Sequence, residues 1–194
     1  RGGTATNQAE HGELEHSSTG RLGGTWGLHG RSSNRLVGLG MAGQGFGRAP
    51  GFRRLPDSLD PLVEFVFDGI PYEETIGDFG LNLGGAGGFE FDRIDRTEGT
   101  PSGTLLLAST VEVPSSFFRA MEHGVGRGHA DPLVRADMVY LDRGPGSVFG
   151  VGSITWTGSL SRNDHKNNVA QIGTNVLNEF VRRGAAPLPN ELDA

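Results

Sequence analysis

The chain has 194 residues, 17 Lys and Arg against 23 Asp and Glu, a formal charge of −6, and no cysteine. That balance provides no basic surface for tracking phosphates, so nucleic acid is not an expected partner; the absence of thiols excludes disulfides, thiolate metal sites and a cysteine nucleophile, and fits a cytoplasmic setting. Glycine is the outlier, with 33 residues, or about 17%, against roughly 7% in ordinary proteins, and it implies many tight turns.

No apolar run approaches membrane-spanning length and none resembles a signal peptide, so no membrane is expected. Residues 1–34 form a polar, glycine-rich opening that starts at Arg1 and has no sustained periodicity; it is expected to continue an upstream half-domain. Residues 35–186 read as one α/β body and residues 187–194 as a tail.

Within the body, residues 35–40 (RLVGLG) read as a short apolar strand, residues 61–68 (PLVEFVFD) as a second, and residues 88–94 (GFEFDRI) as a third with a clean period of two. Residues 104–110 (TLLLAST) read as a buried strand. Residues 115–123 read as a short helix with Phe117, Phe118 and Met121 on one side. Two more strands follow, residues 136–141 (ADMVYL) and 147–156, joined by the turn DRGPG. The strand-helix-strand rhythm from Leu105 onward predicts a partly parallel sheet.

The closing helix is written in its period: Val169, Ile172, Val176, Leu177, Phe180 and Val181 share one stripe. Asn167 or Asn168 can cap its start, Arg182 and Arg183 suit its negative end, and Gly184 with Pro187 stops it.

Two familiar patterns carry no chemistry. Gly38, Gly40 and Gly43 match G-x-G-x-x-G, but the prolines and glycines that follow cannot open the helix a pyrophosphate needs. Asp78-Phe79-Gly80 imitates a kinase signature without a catalytic loop or strand lysine.

Three polar clusters remain. His11, Glu13, Glu15 and His16 offer four imidazole and carboxylate donors suited to zinc or non-haem iron, or they are an exposed polar loop. Glu112, just past TLLLAST, is a candidate general acid or base whose pKa partial burial would raise, or a solvated loop glutamate. In the loop Asn163, Asp164, His165, Asn167 and Asn168, capping accounts for at least one Asn.

The blocks LVGLGMAGQGF, IGDFGLNLGGAGGFEFDRID, RADMVY and SVFGVGSITWTGSLSRNDHKNNVAQIGTNVL, in this order, resemble the C-terminal part of the large subunit of the N,N-dimethylformamidase family. The resemblance implies the C-terminal portion of a class I glutamine-amidotransferase-like, Rossmann-like α/β domain with extra β-strands, glycine-rich turns and a closing helix. It also implies a mononuclear non-haem iron held by two tyrosines and a glutamate, which polarises a formamide carbonyl and activates a water, while a carboxylate passes the proton to the departing amine.

Carried onto this sequence, AEHGELEHSSTG resembles the segment supplying the metal-binding glutamate, with Glu13 as the ligand and His11 beside it as a catalytic residue. Glu112 resembles the acid-base glutamate, and Gln44 or Phe149 would line the substrate pocket. The tyrosine ligands are expected upstream, since neither Tyr72 nor Tyr140 sits in a matching motif. Arg21 stands where relatives tend to carry an acid, so the small amide substrate need not be dimethylformamide itself. The implied partners are that substrate, the upstream part of the same subunit, a small second subunit and further copies of the chain. The alternative, from another class, is a noncatalytic binding or structural module that keeps the framework without its metal.

Overall fold

The computed structural model describes residues 30–120, 128, 131–144 and 146–184. The first element is a single helical turn, α1 (Asn34–Val37), which Gly38 closes with φ +83°. The strand expected over residues 35–40 is therefore corrected: the left-handed glycine ends a helical turn, and the strand β1 (Gly40–Gly45) starts only after it. That strand takes in two of the three glycines of the G-x-G-x-x-G pattern, which thus does not open a helix.

The β1 strand is the centre of a three-stranded sheet, flanked by β3 (Glu90–Arg93) and β5 (Phe117–Arg119). A second sheet runs β2 (Phe52–Arg54), β4 (Leu105–Thr110), β6 (Asp137–Asp142), β7 (Ser147–Val151). Among the described residues all five strand pairings are antiparallel, which corrects the expected partly parallel sheet. A parallel pair needs a long crossover. Here β6 and β7 follow each other directly, with the Arg143 N–H donating to the Gly146 carbonyl at 2.8 Å, and Phe117–Arg119, expected as part of a helix, forms β5 instead.

Residues 61–68 depart from expectation as well. Pro61–Phe67 is a 3-10 helix, because Pro61 sets its first position and the Asp60 carboxylate accepts the Leu62 N–H at 2.9 Å. Its buried residues Val63, Val66 and Phe67 follow a helical spacing, not the alternation of a strand.

The two sheets meet along β3. Phe91 bridges Ser153, and the Asp92 N–H donates to the Gly152 carbonyl at 2.9 Å. The core fills the space between them and the closing helix α2 (Asn168–Gly184), with Phe52, Phe91, Phe117, Ile76, Leu107, Met138 and Ile172 fully enclosed. Phe91 and Phe117 stack at 4.6 Å with rings 7° apart, and Trp156 meets Phe52 edge-on at 5.9 Å. Removing the buried ring of Phe52, Phe91 or Phe117 would cost about 3–5 kcal/mol.

Two glycines are required by this packing. A Cβ on Gly45 would lie 2.6 Å from the Phe117 Cα and ring, and one on Gly77, at φ +64°, would lie 2.3 Å from the Ala86 Cβ.

Candidate functional site

Strand β3 reads Glu-Phe-Asp-Arg, and its period of two sorts the residues: Phe91 enters the core, so Glu90 and Asp92 share the opposite face. The register places Gln44 of β1 directly opposite Glu90, and Met41 opposite Asp92, with an irregularity at Ala42 between them. On the other side of β1, Gln44 lies opposite Phe118. Direct cross-strand partners share a face. One face of the three-stranded sheet therefore carries two carboxylates, a carboxamide and an aromatic ring.

The two carboxylates differ electrically. Burial pushes the Asp92 carboxyl above the ordinary range, and the charge of Glu90 pushes it further in the same direction. A carboxyl raised by burial, beside a second carboxylate, is a pairing in which proton donor and proton acceptor can be told apart. Gln44 adds an amide that can both donate to and accept from a carbonyl or amide group.

The residues singled out by sequence are distributed as follows. Gln44 lies on this face. Phe149 sits on β7 opposite Tyr140, half-buried and packed against the main core. Glu112 is exposed just beyond β4, with φ +54°, a conformation a glutamate adopts only against strain. Among the described residues no hydrogen bond, ion pair or ring contact joins Gln44, Glu112 and Phe149 to one another. His11 and Glu13, like Glu15, His16 and Arg21, lie outside the described residues.

The described residues do not fit an iron site of their own. No group of three or more His, Asp or Glu among them could hold a metal ion. The Tyr140 hydroxyl is already engaged, donating to Ser147 Oγ at 2.9 Å and accepting from Arg183 at 2.5 Å. Tyr72 lies under the Arg54 guanidinium, 5.1 Å from it. Among the described residues, no helix is long and apolar enough to cross a membrane.

The C-terminal blocks tie segments together. Ser153 Oγ donates to the Ala86 carbonyl at 2.7 Å and accepts the Gly88 N–H at 2.8 Å, and Ser159 Oγ donates to the Phe79 carbonyl at 2.7 Å. Asn167 caps α2 by accepting the Ala170 N–H at 2.9 Å. Asn168 instead holds the loop at Gly77 and Thr75. An open cleft of about 440 Å³ lies between Pro61–Phe67 and α2, lined among others by Glu64, Phe65, Asp68 and Glu179. Hydrogen bonds from Arg182 and Arg183 hold the Glu179 carboxyl down at about 2, and Gln44, Glu112 and Phe149 do not line this cleft.

Glu90 and Asp92 were not singled out by sequence, although the alternation of GFEFDRI puts them on one face. What gives them a neighbour is β1, whose glycine-rich sequence does not announce a strand.

Two antiparallel sheets sealed by a C-terminal helix, with a carboxylate pair on the smaller sheet, define a strand-rich α+β domain. The sequence matches the family described as N,N-dimethylformamidase beta subunit-like, C-terminal, over residues 2–169, and the chain belongs to that family. It is 43% identical to the N,N-dimethylformamidase beta subunit of Alcaligenes sp over 188 residues, and 41% identical to that of Paracoccus aminophilus over 189. Each match covers 93% of this chain and 24% of the relative, so the chain spans about a quarter of the relatives' length.

Proposed function

We propose that this chain is the C-terminal part of an amide hydrolase that cleaves a small N-substituted formamide to a carboxylate and an amine. The observation that carries it is the identity of 43% and 41%, over 93% of the chain, to subunits named for that hydrolysis. The polar face of the β1–β3–β5 sheet supports it with suitable chemistry.

In this proposal Gln44 orients the amide by hydrogen bonding, and Phe118 gives the N-alkyl groups an apolar wall. The oxygen of a water bonds to the carbonyl carbon while the Glu90 carboxylate takes a proton from it. The C–N bond then breaks, and Asp92 gives its proton to the departing nitrogen. The proton that Glu90 took from water then passes to Asp92, which restores the pair, and the acid product ionises to formate. Glu112 is the competing proton donor, favoured by its strained φ of +54°. The iron implied by the resemblance, with Glu13 as ligand and His11 beside it, remains part of the proposal for the whole subunit.

The test is formate release from N,N-dimethylformamide and related formamides by the full-length polypeptide and its Asp92→Asn and Glu112→Gln variants. Loss of about 10²–10⁴-fold in kcat for Asp92→Asn alone is expected. The same loss confined to Glu112→Gln would move the proton transfer to Glu112. No formate from the unaltered protein would overturn the hydrolase and favour a noncatalytic module.

A further inference from the structure

At the end of the β1–β3 ladder, immediately past the pair Gln44 and Glu90, two phenylalanines stand on the surface against each other. Phe46 and Phe89 meet edge-on, with ring centroids 5.1 Å apart and planes at 82°. Phe46 is 73% exposed and Phe89 39%. The arrangement is built in: the Gly45 N–H donates to the Phe89 carbonyl at 2.9 Å, and Phe89 adopts φ +67°, a backbone conformation that a bulky residue resists.

The surroundings are apolar too. Ser153 Oγ bonds both the N–H and the carbonyl of Gly88, which brings Ile154, 53% exposed, into the same neighbourhood. An exposed aromatic pair fixed at a cost in backbone strain, with the aliphatic Ile154 nearby, is the anatomy of a covered surface.

We propose that the face formed by Phe46, Phe89 and Ile154 docks against the remainder of the same subunit. The inference rests on taking this chain as part of a longer hydrolase subunit. What points to that occupant is length: the matched portion is 24% of each relative, so about three quarters of their polypeptide lies outside it. Position points the same way, because the patch adjoins Gln44 and Glu90, and a body seated on it would wall the polar face at one end.

The experiment places a photo-crosslinking benzoylphenylalanine at position 46 of the full-length gene product, with a second variant carrying it at exposed Leu177 of α2. Irradiation followed by peptide mapping should give intramolecular crosslinks from position 46 to residues preceding Arg1, and none of these from position 177. Crosslinks confined to the 194 residues, crosslinks to a second copy, or the same peptides from both positions would each overturn the proposal. Formate release by the unaltered protein is measured alongside: a protein that crosslinks as expected but makes no formate leaves the docking intact and removes the hydrolase.

Discussion

Asn168 reaches back 91 residues to Gly77: its side-chain oxygen accepts the Gly77 N–H at 3.1 Å, while its amide donates to the Thr75 carbonyl at 3.0 Å and to Glu74 Oε1 at 2.6 Å. One carboxamide thus satisfies a loop that has no ladder of its own. Its neighbour Asn167 caps the helix, so the Asn-Asn pair performs two separate tasks. Asn168→Ala should cost about 1–3 kcal/mol, since it leaves the Gly77 N–H without its acceptor. Asn168→Asp should cost more, because it keeps the acceptor but sets a carboxylate against Glu74. Urea unfolding of both variants orders them, and an Asp variant as stable as wild type would show that Glu74 is not held there.

A second prediction concerns Asp137, a fully enclosed carboxylate on β6. It accepts from Ser109 Oγ at 2.6 Å, from the Ile94 N–H at 3.0 Å and from Arg135 at 2.9 and 3.2 Å. These donors join β4, β6 and the end of β3, so the charge sits where both sheets meet. Asp137→Ala should destabilise by about 3–5 kcal/mol, leaving the Ile94 N–H and part of Arg135 without partners. Asp137→Asn should recover only a part, since an amide nitrogen cannot accept from Arg135. Thermal melts of the two variants test this; an Asp137→Asn protein as stable as wild type would mean that the charge adds nothing.

Legibility in the sequence followed period. The helix α2 and the strand within GFEFDRI were readable from their periods, but the buried stripe of α2 is narrower than the sequence suggests: Val169, Ile172 and Val176 are buried, whereas Leu177 and Val181 are exposed. Residues 61–67 misled because Leu62 to Phe67 is nearly all apolar, and a short apolar run does not distinguish strand from 3-10 helix; Pro61 and the Asp60 cap decided it. Strand β5 was misread because Phe117 and Phe118 fit either a helix face or a strand, and only pairing with the glycines of β1 selects the strand. The carboxylates of β3 needed that same pairing to become a site, since Gln44 faces Glu90 through tertiary register that no local pattern encodes.

At Glu112 stability and activity are expected to part. Glycine adopts φ +54° without the penalty that a Cβ brings, so Glu112→Gly should stabilise the fold by about 1 kcal/mol. If the carboxylate is also the proton donor, the same variant loses formamide hydrolysis while melting higher. Measured together, a higher melting temperature with unchanged kcat assigns the strain to packing alone. A higher melting temperature with a collapse in kcat assigns it to catalysis.

Asp92 makes a prediction about pH. Its proton is held more tightly in the folded chain than in the unfolded one, because burial and then Glu90 raise it above the ordinary 3.8. Between those two values the folded state binds more protons, so stability falls as pH rises through the window. Asp92→Asn has no proton to lose and removes this fall. The stability gap between Asp92→Asn and wild type should therefore widen as pH climbs from below 3.8 and level off above the raised folded value. Glu179 runs the opposite way: its carboxyl, lowered from 4.5 to about 2, contributes stability above its ordinary value that is lost as pH falls toward 2. Both proteins carry Glu179, so its contribution cancels in the difference. Denaturant titrations of the pair at half-unit pH intervals would read the gap directly, and a gap that is flat or narrows with rising pH would refute the raised Asp92. Were Asp92 the proton donor to the departing amine, hydrolysis would decline over the same window, because the catalytic form and the stable form are the same protonated carboxyl.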